Sequence, residues 1–191
     1  MGLKPINGAD GYAAIVTEGD YSATTADELV EALAQASAGE TVFIPGNVEI
    51  DLTTLTYIDG LVLQVPGGVT LASDRGNDGS PGALLVNDAL KPRDMTNIYE
   101  RHIMISITGP DARVTGLRIQ GPNPKRHPAH HRRSFSEDGR GKQYYYEFPT
   151  QDGISTTHDG LEIDNCDISG FGHAGVELKD GDDHHLYHCF I

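Results

Sequence analysis

Short apolar runs alternate with glycine- and proline-bearing turns along most of the chain. The runs Thr41–Ile44, Leu61–Val65, Val69–Ala72, Ala83–Val86 and Ile103–Ile107 are long enough for strands and too short for helices. Turn formers separate them at Pro45-Gly46, Pro66-Gly67-Gly68, Asp74–Gly82 and Gly109-Pro110. One helix signal precedes the first strand. Thr25-Ala26-Asp27-Glu28 has the spacing of a capping box, Leu29, Val30, Leu33 and Ala36 follow at helical period, and Gly39 stops the pattern. A single amphipathic helix ahead of a run of strands suits a lid over the end of a stacked β structure, where the core would otherwise meet water.

The later chain repeats itself. Leu161 to Ile168 superposes on His184 to Ile191 at an offset of 23 residues, matching Ile163 with Leu186, Cys166 with Cys189 and Ile168 with Ile191. Val114 to Ile119 matches Ile163 to Ile168 at an offset of 49, which is one period plus a 26-residue insertion. Residues 122–153 hold that insertion, being polar, proline-containing and without apolar period. A period of this size with short strands and Gly, Asn or Asp at the turns predicts one turn of a β-solenoid. Equivalent side chains would then stack about 4.8 Å apart. Cys166 and Cys189 fall in one such interior column, as small buried hydrophobes. The fold expected is all-β, a parallel β-helix with an N-terminal capping α-helix, forming one domain over residues 1–191. Because Ile191 falls inside a strand, the expectation is also that the C-terminal end is truncated and that further chain or a partner covers it.

Composition narrows the function classes. A formal net charge of −14 argues against a nucleic acid partner and against an anionic membrane surface. No run of 18 apolar residues offers a membrane span. The opening residues Met1-Gly2-Leu3-Lys4-Pro5 lack the apolar core of a signal peptide. With 23 Gly, 10 Pro and no Trp, the chain suits a turn-rich β fold, and two cysteines are too few for a disulfide framework.

The capped helix and following strand, Ala23 to Ala36 and then Gly39-Glu40-Thr41-Val42-Phe43-Ile44-Pro45, resemble the start of pectate-lyase-like β-helix proteins. Asp159-Gly160-Leu161-Glu162-Ile163-Asp164-Asn165-Cys166-Asp167-Ile168-Ser169-Gly170 resembles their generic coil. The resemblance covers most of the chain outside the insertion and implies a right-handed parallel β-helix. It also implies carbohydrate-directed activity at the cell surface or in secretion. The superfamily mixes lyases, hydrolases, epimerases and tailspikes, so reaction type must come from the site.

The insertion concentrates positive charge. Between Lys125 and Lys142 stand Lys125, Arg126, Arg132, Arg133, Arg140 and Lys142 against Glu137 and Asp138, with His127, His130, His131, Tyr144, Tyr145 and Tyr146 in or beside that stretch. Clustered arginines suit carboxylate recognition, and tyrosine faces suit sugar rings. A plain solvated loop is the competing reading, and a metal site at His127, His130 and His131 is a weaker one. This charge pattern favours an anionic ligand, and with the resemblance the expected partner is an acidic polysaccharide cleaved by β-elimination. That reaction needs a base, a neutraliser for the uronate carboxylate and an acid for the leaving oxygen. The resemblance implies a Lys or Arg base and calcium as neutraliser. The residues expected to serve are Arg126, Arg132, Arg133 and His173 for substrate, Lys179 or His131 as base and Tyr145 as acid. Asp180, Asp182 and Asp183 are the oxygen ligands available to Ca²⁺, in what is otherwise an ordinary exposed turn. Two alternatives are a non-catalytic glycan-binding, adhesin or tailspike-like module and a glycoside hydrolase. The second has Asn165-Cys166-Asp167, Gly172-His173-Ala174-Gly175 and Asp182-Asp183 as imperfect matches to polygalacturonase-like motifs.

Overall fold

The computed structural model of the chain describes residues 12–89, 102–122, 132, 136–137 and 151–191. Two α-helices and fourteen strands occur among them. Helix α1 spans Ala26–Gln35 and carries the capping box read from the sequence: the Thr25 hydroxyl accepts from the Glu28 N–H at 3.3 Å, and Glu28 accepts from the Thr25 N–H at 3.2 Å. Its buried face is Leu29, Ala32 and Leu33.

The strands form three sheets, and every strand pairing among the described residues is parallel. The first sheet runs β1 (Tyr21–Ser22), β2 (Thr41–Phe43), β5 (Thr70–Ala72), β8 (Arg113–Thr115), β11 (Glu162–Asp164), β14 (His185–Tyr187). The second runs β3 (Glu49–Asp51), β6 (Leu84–Val86), β9 (Arg118–Gln120), β12 (Asp167–Ser169). The third runs β4 (Leu63–Val65), β7 (His102–Ile107), β10 (Gln151–Thr156), β13 (Ala174–Leu178). From β2 onward the chain visits the three sheets in rotation. The fold is therefore mostly β with parallel sheets, an arrangement compatible with a parallel β-helix.

Each sheet contributes one apolar column to a common core. Val42, Leu71, Val114 and Ile163 stand in register on the first sheet. Ile50, Leu85, Ile119 and Ile168 do so on the second, and Leu63, Ile105 and Ile154 on the third. All are buried, so each side chain contributes on the order of 1.5–3 kcal/mol of burial. The next member of two columns is less covered: Val176 is partly buried and Leu186 is exposed, at the edge strands β13 and β14.

The repeat read from the sequence is the register of the sheets. Ile163 pairs with both Val114 and Leu186, and Ile168 pairs with Ile119. Cys166 is buried against the Val114 carbonyl at 3.6 Å, and burial pushes its thiol pKa up, away from the reactive thiolate. The turns repeat as well. Gly116, Asn165 and His188 occupy one place in three successive repeats, and all have positive φ. At Gly116 a Cβ would meet the Ser73 carbonyl oxygen at 2.0 Å, so only glycine fits. His188 is thus a turn residue. Asp111, Gly160 and Asp183 form a second such set, again with positive φ.

Helix α2 (Thr53–Asp59) interrupts this plan between β3 and β4 and leaves Tyr57 and Ile58 exposed. No helix is long and apolar enough to cross a membrane among the described residues. The inserted stretch expected at 122–153 joins β9 to β10, and its last three residues already belong to β10.

Candidate functional site

The third sheet places unusual chemistry near its edge. Strands β10 and β13 are in register with Asp152 opposite Ala174, which brings His173 to the start of β13 beside Asp152. Close approach here depends on small residues: a Cβ at Gly153 would meet the Gly175 carbonyl oxygen at 2.3 Å. Asp152 is fully buried, and its Oδ1 contacts His173 Nδ1 at 2.7 Å while accepting from the Ala174 N–H at 3.1 Å. Its other oxygen, Oδ2, is buried without a hydrogen-bond partner among the described residues. The His173 side chain is 36% exposed. Glu177 lies on the same strand and pairs with Lys179 at 3.2 Å. One ligand atom each from Asp152, His173 and Glu177 lies within 4.8 Å of the others; no other His, Cys, Asp or Glu group of three or more converges in this way among the described residues.

Two chemical capabilities follow. A carboxylate on Nδ1 holds the imidazole in the tautomer whose Nε2 accepts a proton, and it stabilises the imidazolium that forms. The same three side chains also present one nitrogen and two oxygen donors suited to a metal ion.

Of the residues expected from the sequence, His173 contacts Asp152 and Lys179 pairs with Glu177. Asp180, Asp182 and Asp183 are exposed between β13 and β14. There Asp180 accepts from the Gly181 N–H at 2.9 Å, the Asp182 N–H donates to Asp159 at 2.9 Å, and Asp183 holds a left-handed turn. Their carboxylates do not converge, whereas Ca²⁺ requires six or more gathered oxygens. The residues present do not assemble that shell. Arg132 is exposed, and Arg126, His131, Arg133 and Tyr145 lie outside the described residues. Of the hydrolase-like motifs, Asp167 sits on the second sheet 3.8 Å from Arg75, and Gly172-His173 directly precedes β13 of the third.

Asp152 and Glu177 were not among the expected site residues. Asp152 fell within the span assigned to the insertion, and only the β10 register shows it to be a strand residue. Gln151 beside it has both amide atoms buried without a hydrogen-bond partner among the described residues. Glu177 had one sequence signal, its place two residues before Lys179 on an alternating strand.

A second buried carboxylate lies on the first sheet. Asp164 accepts from Arg113 Nε at 2.8 Å and Nη2 at 3.2 Å, and from the hydroxyls of Thr115 and Tyr12. Arg113 also approaches Glu162 at 3.6 Å, and Glu162 accepts from the Tyr187 hydroxyl. Burial works to lower the Arg113 pKa, but the hydrogen bonds and charge of Asp164 outweigh it and the net shift is upward. Burial and then the Asp164 hydrogen bond raise Tyr12. The bond to Glu162 raises Tyr187. Both oxygens of Asp164 accept from donors, so this cluster is a clasp tying Tyr12 to β8 and β11.

No protein-family model matches the chain, and neither the curated proteins nor the solved structures contain a match to it.

Proposed function

We propose that the chain is a right-handed parallel β-helix of the pectate-lyase-like kind that acts on an acidic, uronate-containing polysaccharide by β-elimination. The observation that carries this reading is the His173–Asp152 dyad beside the Glu177–Lys179 pair on one accessible strand edge. The cationic insertion supports it, because its ends are tethered at Gln120 and Gln151, directly before Asp152.

In this reading His173 is the base. Its Nε2 takes the proton next to the uronate carboxylate, and Asp152 holds the ring and stabilises the imidazolium. The electrons of that C–H bond form the C4–C5 double bond as the C4–O bond breaks. Lys179, already engaged as a cation with Glu177, is suited to meet the substrate carboxylate rather than to accept a proton. The arginines of the insertion, Arg126, Arg132 and Arg133, add carboxylate contacts, and Tyr145 is the phenol available to protonate the leaving oxygen. No step runs through calcium.

The test is incubation with a panel of acidic polysaccharides while following the ultraviolet band of the unsaturated uronate. The band should rise on one substrate, and His173→Gln should lower the rate by about 100-fold or more, the size of a general-base contribution, while polymer binding persists. New reducing ends without the band would replace the reading with a glycoside hydrolase. Binding with neither product would leave a glycan-binding module.

A further inference from the structure

We propose that Asp152, His173 and Glu177 form a binding site for a divalent transition-metal ion, with Zn²⁺ as the representative. Three independent features point to it. The first is convergence: one ligand atom from each residue falls within 4.8 Å of the other two. The second is the state of Asp152. Its side chain is wholly buried, yet Oδ2 has no hydrogen-bond partner among the described residues. A buried carboxylate oxygen without a partner is costly, and a cation bound there removes that cost. Lys179 does not supply the charge, because its ion pair is with Glu177. The third is rigidity. Asp152 lies within β10 and Glu177 within β13, paired through Asp152↔Ala174 and Ser155↔Glu177, while the Ala174 N–H fixes Asp152 Oδ1. Ligands on paired strands hold their spacing better than ligands on a loop.

The donor set selects the ion. An imidazole nitrogen with two carboxylates suits Zn²⁺ and its first-row neighbours, and three protein ligands leave a coordination position open. Ca²⁺ and Mg²⁺ take oxygen ligands, so the imidazole works against them. Lys179 then stands behind Glu177 as an outer partner that orients the ligating carboxylate. Binding also fixes the tautomer. With Nδ1 on the metal, Nε2 carries the hydrogen and cannot accept a proton. A corollary, which rests on the lyase reading, is that Zn²⁺ inhibits elimination by occupying the base.

The binding claim is tested on metal-stripped protein titrated with ZnCl₂ by calorimetry, with metal content after dialysis read by mass spectrometry. The parent binds a saturable equivalent that Asp152→Asn, His173→Gln and Glu177→Gln each weaken by about tenfold or more. Asp183→Asn, on the exposed turn, leaves it unchanged. Retained far-ultraviolet dichroism shows that the variants are folded, and Zn²⁺ raises the melting temperature of the parent but not of His173→Gln. Absence of saturable binding overturns the site. So does binding that stays as tight in His173→Gln as in the parent, or displacement by equimolar Ca²⁺. The two proposals fail separately. Zn²⁺ that binds as described without slowing an observed elimination removes His173 as base and leaves the site intact, while lack of any elimination does not touch the titration.

Discussion

Asp152 and Asp164 are both fully buried carboxylates on parallel strands, one on the third sheet and one on the first, and their surroundings could hardly differ more. Asp164 receives four donors from three side chains, distributed over both oxygens. Asp152 has its two contacts on one oxygen, and the other has no hydrogen-bond partner among the described residues. A carboxylate saturated by its own protein belongs to the framework. One left half-saturated in a buried position costs stability, and it marks a place where a proton, cation or ligand is expected to complete the set.

The strongest test of that contrast removes each carboxylate. Asp164→Ala leaves Arg113 partly buried without its main partner, and should cost about 3 kcal/mol or more in urea denaturation. Asp152→Asn keeps an acceptor oxygen for Ala174 and places an amide where no donor was met. It should shift stability by no more than about 1 kcal/mol. Equal losses at the two positions would erase the distinction between framework and site.

A finer probe trims the clasp without opening it. Tyr12→Phe removes one donor to Asp164 and should cost about 0.5–1.5 kcal/mol, read from the same denaturation midpoints. No loss would mean that Tyr12 lies on the cluster without holding it.

The smallest effect is in the alkaline limb. Tyr12 is raised above its ordinary value near 10 by burial and by Asp164, so the folded state keeps the proton that the unfolded state releases. This contribution is complete below the unfolded value and is lost as pH rises through the folded one. Stability should therefore fall above about pH 10, less steeply in Tyr12→Phe. Some slope persists there, because Tyr187 is raised in the same direction by Glu162. Parallel alkaline limbs in the two proteins would remove Tyr12 from the linkage.

Much of the framework was legible because it is periodic. The strands at 41–44, 61–65, 69–72, 83–86 and 103–107 were visible as apolar runs between turns, and each contains or closely overlaps an observed strand. The capping box announced α1. Strand β3 escaped because three residues, Glu49-Ile50-Asp51, carry one buried apolar position and therefore almost no pattern. Helix α2 escaped because Leu52 provides no side-chain cap, and the helix buries only Thr56.

What the sequence determined by itself was the column: 23 residues after Ile163 stands Leu186, and 49 residues before it stands Val114. Periodic burial writes itself into periodic composition, since each repeat must present an apolar residue at the same place. The site obeys no such rule. Asp152 and His173 lie 21 positions apart in the chain, and nothing in their neighbours announces that β10 and β13 are adjacent. Only the sheet register brings a buried carboxylate against an exposed imidazole and leaves one of its oxygens without a hydrogen-bond partner among the described residues. Local pattern encodes what each repeat must share; tertiary pairing decides which of its exceptions meet.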